Sequence, residues 1–174
     1  MQADLSKNYF ELFDLPARFD LDPADLAVRY RQLQRLFHPD RFASASAPER
    51  RLSVQMTAQI NAAFQTLKDP VARARYLLGL SGLDTGEDTD THMQPAFLME
   101  QMELREALAE AGQAGDAQEI EALRQRVQQQ LEAKTALLSA SFAANSDTAR
   151  RDARNLTREM QFLQKLTQEI QELE

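Results

Sequence analysis

The stretch Asp22–Asp40, DPADLAVRYRQLQRLFHPD, together with Ile60–Tyr76, INAAFQTLKDPVARARY, decides the fold. Asp22 followed by Pro23 is an N-cap with proline at the first helical position, where a missing N–H costs nothing. Leu26, Tyr30, Leu33 and Phe37 follow at helical spacing, and Pro39 closes the segment. Arg41 to Ala47 is small and polar, hence a loop. Pro48 opens a second long helix whose apolar stripe is Leu52, Met56, Ile60, Phe64 and Leu67. Asp69-Pro70 starts a shorter helix with Val71, Ala74, Leu77 and Leu78 apolar, ending near Gly79 and Gly82. Upstream, Asn8 to Asp14 is a brief helix carrying Tyr9, Phe10, Leu12 and Phe13, stopped near Pro16. The expectation is a helical hairpin whose turn carries His38-Pro39-Asp40. At 100° per residue, Arg31 and Arg35 share the face opposite the core stripe.

Downstream the pattern changes. Residues 81–94, SGLDTGEDTDTHMQ, are rich in Gly, Asp and Thr and have no period, so they are expected to be a linker. Gln94-Pro95 opens a helix to about Ala111, broken by the Gly112–Gly115 turn. Asp116 caps the next, with Ile120, Leu123, Val127, Leu131, Leu137 and Leu138 apolar, running to about Phe142. Asn145-Ser146-Asp147 is a turn and cap before a last helix carrying Leu156, Met160, Leu163, Leu166 and Ile170. Three antiparallel helices with short connections pack as a bundle. The chain therefore divides into residues 1–80, a linker 81–94 and a bundle 95–174. Its fold class is all-α, with no convincing strand.

Composition narrows the function classes. A chain of 174 residues that is 43% hydrophobic and 27% charged can bury a core, which excludes a wholly disordered chain. No apolar run approaches the roughly 18 residues a membrane span requires, and the N-terminus lacks a signal layout, so a cytoplasmic location is expected. Without cysteine there is no disulfide, thiol nucleophile or cysteine-held metal. His38 and His92 are the only histidines, and neither has metal-ligand spacing to a second one. The acidic cluster Asp84, Glu87, Asp88 and Asp90 lacks the ligand order of a calcium loop. No phosphate-binding glycine loop or nucleophile elbow occurs, so neither an enzyme nor a resident cofactor or metal is expected. The net charge of -7 is uneven. Residues 1–80 carry 11 Lys+Arg against 9 Asp+Glu, and residues 81–174 carry 9 against 18. The acidic half argues against nucleic acid and for two surfaces with different partners, although acidic helices also serve solubility alone.

The segment with Tyr9-Phe10, His38-Pro39-Asp40, Ile60, Asn61, Ala63, Phe64, Leu67, Asp69, Pro70, Arg73 and Tyr76 resembles the J-domain family, co-chaperones that stimulate DnaK-type ATPases. The resemblance implies that His38, Pro39 and Asp40 contact the chaperone, with Arg31, Arg35 and Arg41 as a basic flank. Gln32 stands where many relatives have a base. The chemistry is consistent with that role. Proline fixes the turn, a carboxylate accepts charge-assisted hydrogen bonds from an arginine, and guanidinium groups steer an acidic partner.

No Gly/Phe-rich stretch or zinc-binding repeat follows, which sets the chain apart from general folding J-proteins. Gln94–Ala111, QPAFLMEQMELREALAEA, with Tyr9–Asp22 and Met160–Leu166, resembles the HscB family of iron–sulfur cluster assembly. On Pro95–Ala111 the wheel gives Phe97, Leu104 and Leu108 to the core. Leu98, Met99 and Met102 lie on another face, shared with Glu103, Glu106 and Glu110. The resemblance implies that these residues, with Phe162, bind an IscU-like cluster scaffold, and that the J-domain serves an HscA-like chaperone. Leucine and methionine rimmed by carboxylates form an adaptable apolar patch, while a helix touching two neighbours also has a wide apolar arc. Two other functions remain open, a J-domain adaptor for another client and a helical oligomerisation module with an inert J-like domain.

Overall fold

A computed structural model of the chain describes residues 5–83, 93–144 and 146–173. Among these there are seven α-helices and no strand. They are α1 (Tyr9–Leu12), α2 (Pro23–Phe37), α3 (Ala47–Lys68), α4 (Pro70–Leu80), α5 (Pro95–Ala114), α6 (Ala117–Ala144) and α7 (Asp147–Gln171). A 3₁₀ turn, Pro39–Phe42, lies between α2 and α3 and overlaps the start of the segment expected to be loop. The chain forms two compact units that divide at Leu77 and Leu78, within α4. Most of the expected linker, including His92 and the acidic cluster at Asp84, Glu87, Asp88 and Asp90, lies outside the described residues.

In the first unit α2 packs along α3, and each helix start is chemically marked. Asp22 accepts from the Ala24 N–H at 2.8 Å. Ser46 and Glu49 cap α3 reciprocally, and the hydrogen bonds from Ser46 hold the Glu49 carboxyl below the usual carboxylate range. Leu26, Leu33, Phe37, Met56, Ile60, Ala63 and Leu67 are buried between the helices, with Phe10, Phe13 and Phe19 closing the core. Tyr30 and Phe64 are half-buried and stack with ring centroids 4.0 Å apart. Tyr76 stacks on Tyr9 at 4.5 Å and accepts the Tyr9 N–H at 2.9 Å, so α4 holds α1 in place. Arg29 of α2 donates to the carbonyls of Phe13 and Asp14. These bonds anchor the chain where Asp14 adopts a left-handed φ of 53°.

The stripe of α3 departs from expectation at its start. Leu52 is exposed, and Ser53 takes the buried position in register with Met56 and Ile60. The reason is a polar neighbour: the Ser53 hydroxyl donates to the buried Phe37 carbonyl at 2.8 Å, which a leucine cannot do.

The second unit is a three-helix bundle with one core formed by Leu104, Leu108, Ala111, Ile120, Leu123, Val127, Leu163, Leu166 and Ile170. Helix α5 runs to Ala114, three residues past the expected end. Gly112 stays helical, and a Cβ there would meet Leu173 Cδ1 at 3.2 Å. Gly115, left-handed at φ 64°, supplies the actual stop, with the Asp116 N–H bonding back to the Ala111 carbonyl at 2.9 Å. Asp116 and Ser146 cap α6 and α7. Two expected core positions are corrected. Leu137 is 54% exposed while Leu138 is fully buried, and Leu156 is half-buried where Ala153 and Thr157 fill the seam. Arg105–Glu169 and Lys134–Glu159 ion pairs join α7 to α5 and α6.

Candidate docking surfaces

The turn after α2 follows from the chemistry of Pro39. Proline pushes the preceding residue into extended backbone, and His38 has ψ 130°, which ends the helix. It also has no N–H to give the carbonyl four residues back, that of Arg35. The Arg41 guanidinium makes up the loss, with Nη1 donating to the Arg35 carbonyl at 3.1 Å. The Arg41 N–H in turn bonds the His38 carbonyl at 3.0 Å, leaving Phe37 O without that helical donor. Two hydroxyls from α3 take its place, Ser53 at 2.8 Å and Thr57 at 3.1 Å. A buried carbonyl left unsatisfied costs about 1–3 kcal/mol, so this cap is a real part of the hairpin's stability.

What the turn presents outward is polar and accessible. His38 Nδ1 accepts the Asp40 N–H at 3.3 Å, capping the 3₁₀ turn, and lies 3.5 Å from Asp40 Oδ2. The Asp40 side chain is 90% exposed. Arg31, Gln34, Arg35, His38 and Arg41 line an open recess of about 460 Å³. Arg31 and Arg35 are exposed and make no ion pair among the described residues. The Gln34 amide donates to Tyr30 Oη at 2.5 Å and to Asn61 Oδ1 at 3.4 Å, which ties the recess to α3. All six sequence-predicted residues thus fall on or beside one turn.

The second candidate set lies mainly on α5. Phe97, Leu104 and Leu108 are buried as expected, whereas Leu98, Met99 and Met102 are exposed at 39%, 64% and 72%. Glu103, Glu106 and Glu110 are exposed on the same helix. Phe162, on α7, is half-buried with the Lys165 ammonium 5.8 Å from its ring centroid. On the buried face of α5, the Phe97 ring has the Lys134 ammonium 5.1 Å from its centroid, and Lys134 pairs with Glu159.

Sequence reasoning did not single out Gln34, Ser53 or Thr57. Ser53 did carry a signal, a polar residue at i, i+3 and i+7 spacing with Met56 and Ile60. Among the described residues no cluster of three or more His, Cys, Asp or Glu could hold a metal, and no helix is long and apolar enough to cross a membrane.

A helical hairpin with an exposed His38-Pro39-Asp40 turn beside Arg31 and Arg35, carried with an all-helical bundle, is the arrangement that the resemblance to J-domain co-chaperones implies. Residues 93–171 match the family described as HSCB C-terminal oligomerisation domain. A co-chaperone protein HscB homolog of Shewanella oneidensis is 45% identical over 169 residues, covering 96% of this chain and 97% of the relative. The solved chaperone HscB from Vibrio cholerae is 41% identical with a TM-score of 0.82, covering 95% of this chain and 96% of that one. The human co-chaperone HscB is 33% identical with a TM-score of 0.88, covering 97% of this chain and 82% of that one. The chain belongs to the HscB family of co-chaperones.

Proposed function

We propose that this chain couples a cluster-bearing scaffold protein to a DnaK-type chaperone during iron–sulfur cluster maturation. In this reading the chaperone is HscA-like and the scaffold IscU-like. The chain performs no covalent chemistry. His38, Pro39 and Asp40 dock on the chaperone and trigger its ATP hydrolysis, with Arg31 and Arg35 orienting the approach and Arg41 holding the turn. Leu98, Met99, Met102 and Phe162 hold the scaffold within a rim of Glu103, Glu106 and Glu110. Carrying both contacts on one molecule raises the effective concentration of client at the ATPase.

The observation that carries this reading is the exposure of Leu98, Met99 and Met102 on a helix whose other apolar face is fully buried. Side chains of that kind in the outer face of a closed bundle contribute nothing to its core, and they suit a partner. The test is a steady-state ATPase assay of the chaperone with this chain, the scaffold, or both. The expected result is that both together stimulate more than the sum of each alone. Additive stimulation would leave a J-domain adaptor for another client.

The basic flank has its own expected result. Arg31→Ala and Arg35→Ala lower the association rate with the chaperone, more strongly at low salt, and leave the dissociation rate nearly unchanged. Exposed rim charges act by steering over a Debye length, about 8 Å at physiological ionic strength. Stopped-flow association rates that ignore both substitutions and salt would remove this face from the docking surface.

A further inference from the structure

We propose that Ser53 and Thr57, which lie on α3 outside the docking turn, are positioning residues that set the direction in which His38-Pro39-Asp40 leaves α2. This rests on the docking role proposed above for that turn. Both hydroxyls converge on one atom, the Phe37 carbonyl oxygen, at 2.8 and 3.1 Å. Phe37 is the last residue of α2, and His38 is the next residue in the chain. Ser53 is buried in an otherwise apolar stripe, so it is held by this bond and by no contact with solvent. Arg41 closes the opposite side of the same helix end through the Arg35 carbonyl. The peptide group between Phe37 and His38 therefore has its orientation fixed from α3. Without the two hydroxyls that peptide can rotate toward water, and the exposed imidazole and carboxylate beyond it swing with it. Docking that needs both groups at once is sensitive to such a shift, since charge-assisted hydrogen bonds weaken as their length and angle leave the optimum.

The experiment compares full-length variants in chaperone ATPase stimulation, at a temperature where circular dichroism finds each fully folded. Ser53→Ala with Thr57→Val removes both donors and keeps side-chain volume close to the original. Ile60→Val, in the same helix, serves as a control that lowers stability without touching the cap. The expected result is a roughly tenfold rise in the half-saturating concentration for the double variant, the equivalent of about 1.4 kcal/mol of docking free energy. No comparable rise is expected for Ile60→Val. The salt dependence of that concentration stays as in the parent, because no charge has been removed. Ser53→Ala with Thr57→Ser keeps one donor and recovers most of the activity. Parent-like stimulation by the donor-free variant overturns the proposal, as does a loss that Ile60→Val shares in full. Asp40→Asn in the same assay keeps the two readings apart. If Asp40→Asn stimulates normally, the docking role of the turn fails. If it does not stimulate while the donor-free variant does, only the positioning role fails.

Discussion

Replacing Asp40 with Asn abolishes stimulation of the chaperone ATPase while the chain keeps its helicity and its melting temperature. The expectation follows from where the carboxylate stands. Its side chain is 90% exposed, and its Oδ2 lies 3.5 Å from His38 Nδ1. The turn is held instead by other side chains, through His38 Nδ1 on the Asp40 N–H and the Arg41 guanidinium on the Arg35 carbonyl. Asparagine keeps the shape and removes only the charge, so the fold changes by no more than about 0.5 kcal/mol, as at other surface sites. At an interface the balance is different. Removing one member of a desolvated, hydrogen-bonded charge pair costs about 2–5 kcal/mol, much of it the penalty of stranding the other charge. That is a loss of roughly 30- to several thousand-fold in affinity, enough to take stimulation to the basal rate. Replacing His38, Pro39 and Asp40 together with Ala gives the same functional loss. Steady-state ATPase rates with circular-dichroism melting read both effects, and stimulation retained by Asp40→Asn would sink the docking role of the turn.

Elements with local signals were legible in the sequence, and contacts that depend on distant partners were not. Helix α2 was fixed in advance by Asp22-Pro23 at one end, Pro39 at the other and a regular stripe between, all within about four turns of each other. The division of α5 into a buried face at Phe97, Leu104 and Leu108 and an exposed face at Leu98, Met99 and Met102 came from angular position alone. The failures share a cause. Ser53 displaced Leu52 because its acceptor, the Phe37 carbonyl, is 16 residues away in sequence and meets it only once the hairpin closes. Gly112 stayed in helix although two glycines in four residues suggested a turn, and its neighbour there is Leu173, 61 positions on. Leu138 lies seven residues after Leu131 and so continues the buried stripe of α6, while Leu137 falls about 100° away from it and is exposed. The proposed docking residues themselves rest on resemblance to known families. The reach of Gln34 into the recess and the double hydroxyl cap required coordinates.

The sharpest separation between a binding patch and a bundle core comes from truncating Leu98, Met99, Met102 and Phe162 together to Ala. The expected product is folded, stimulates basal chaperone ATPase normally and no longer binds the cluster scaffold. Were these residues core, each truncation would cost about 2–5 kcal/mol, and the sum would exceed the stability of an ordinary domain. Their exposure argues otherwise, since Met99 and Met102 keep most of their surface in solvent and Leu98 more than a third. Phe162 is the costliest of the four, because it is half-buried and its ring lies near the Lys165 ammonium. The real core of the unit, Leu104, Leu108, Leu163 and their neighbours, is untouched. On the partner side, apolar anchors at the centre of an interface each contribute about 2 kcal/mol or more, so losing several takes affinity down at least 100-fold. Melting by circular dichroism, titration with the scaffold and ATPase rates are measured on one preparation. Leu104→Ala runs beside it to show what core damage looks like. A folded quadruple variant that binds the scaffold normally refutes the patch. If the quadruple variant unfolds, the triple variant that keeps Phe162 decides: unfolded again, the trio is core, and folded without scaffold binding, the trio is the site.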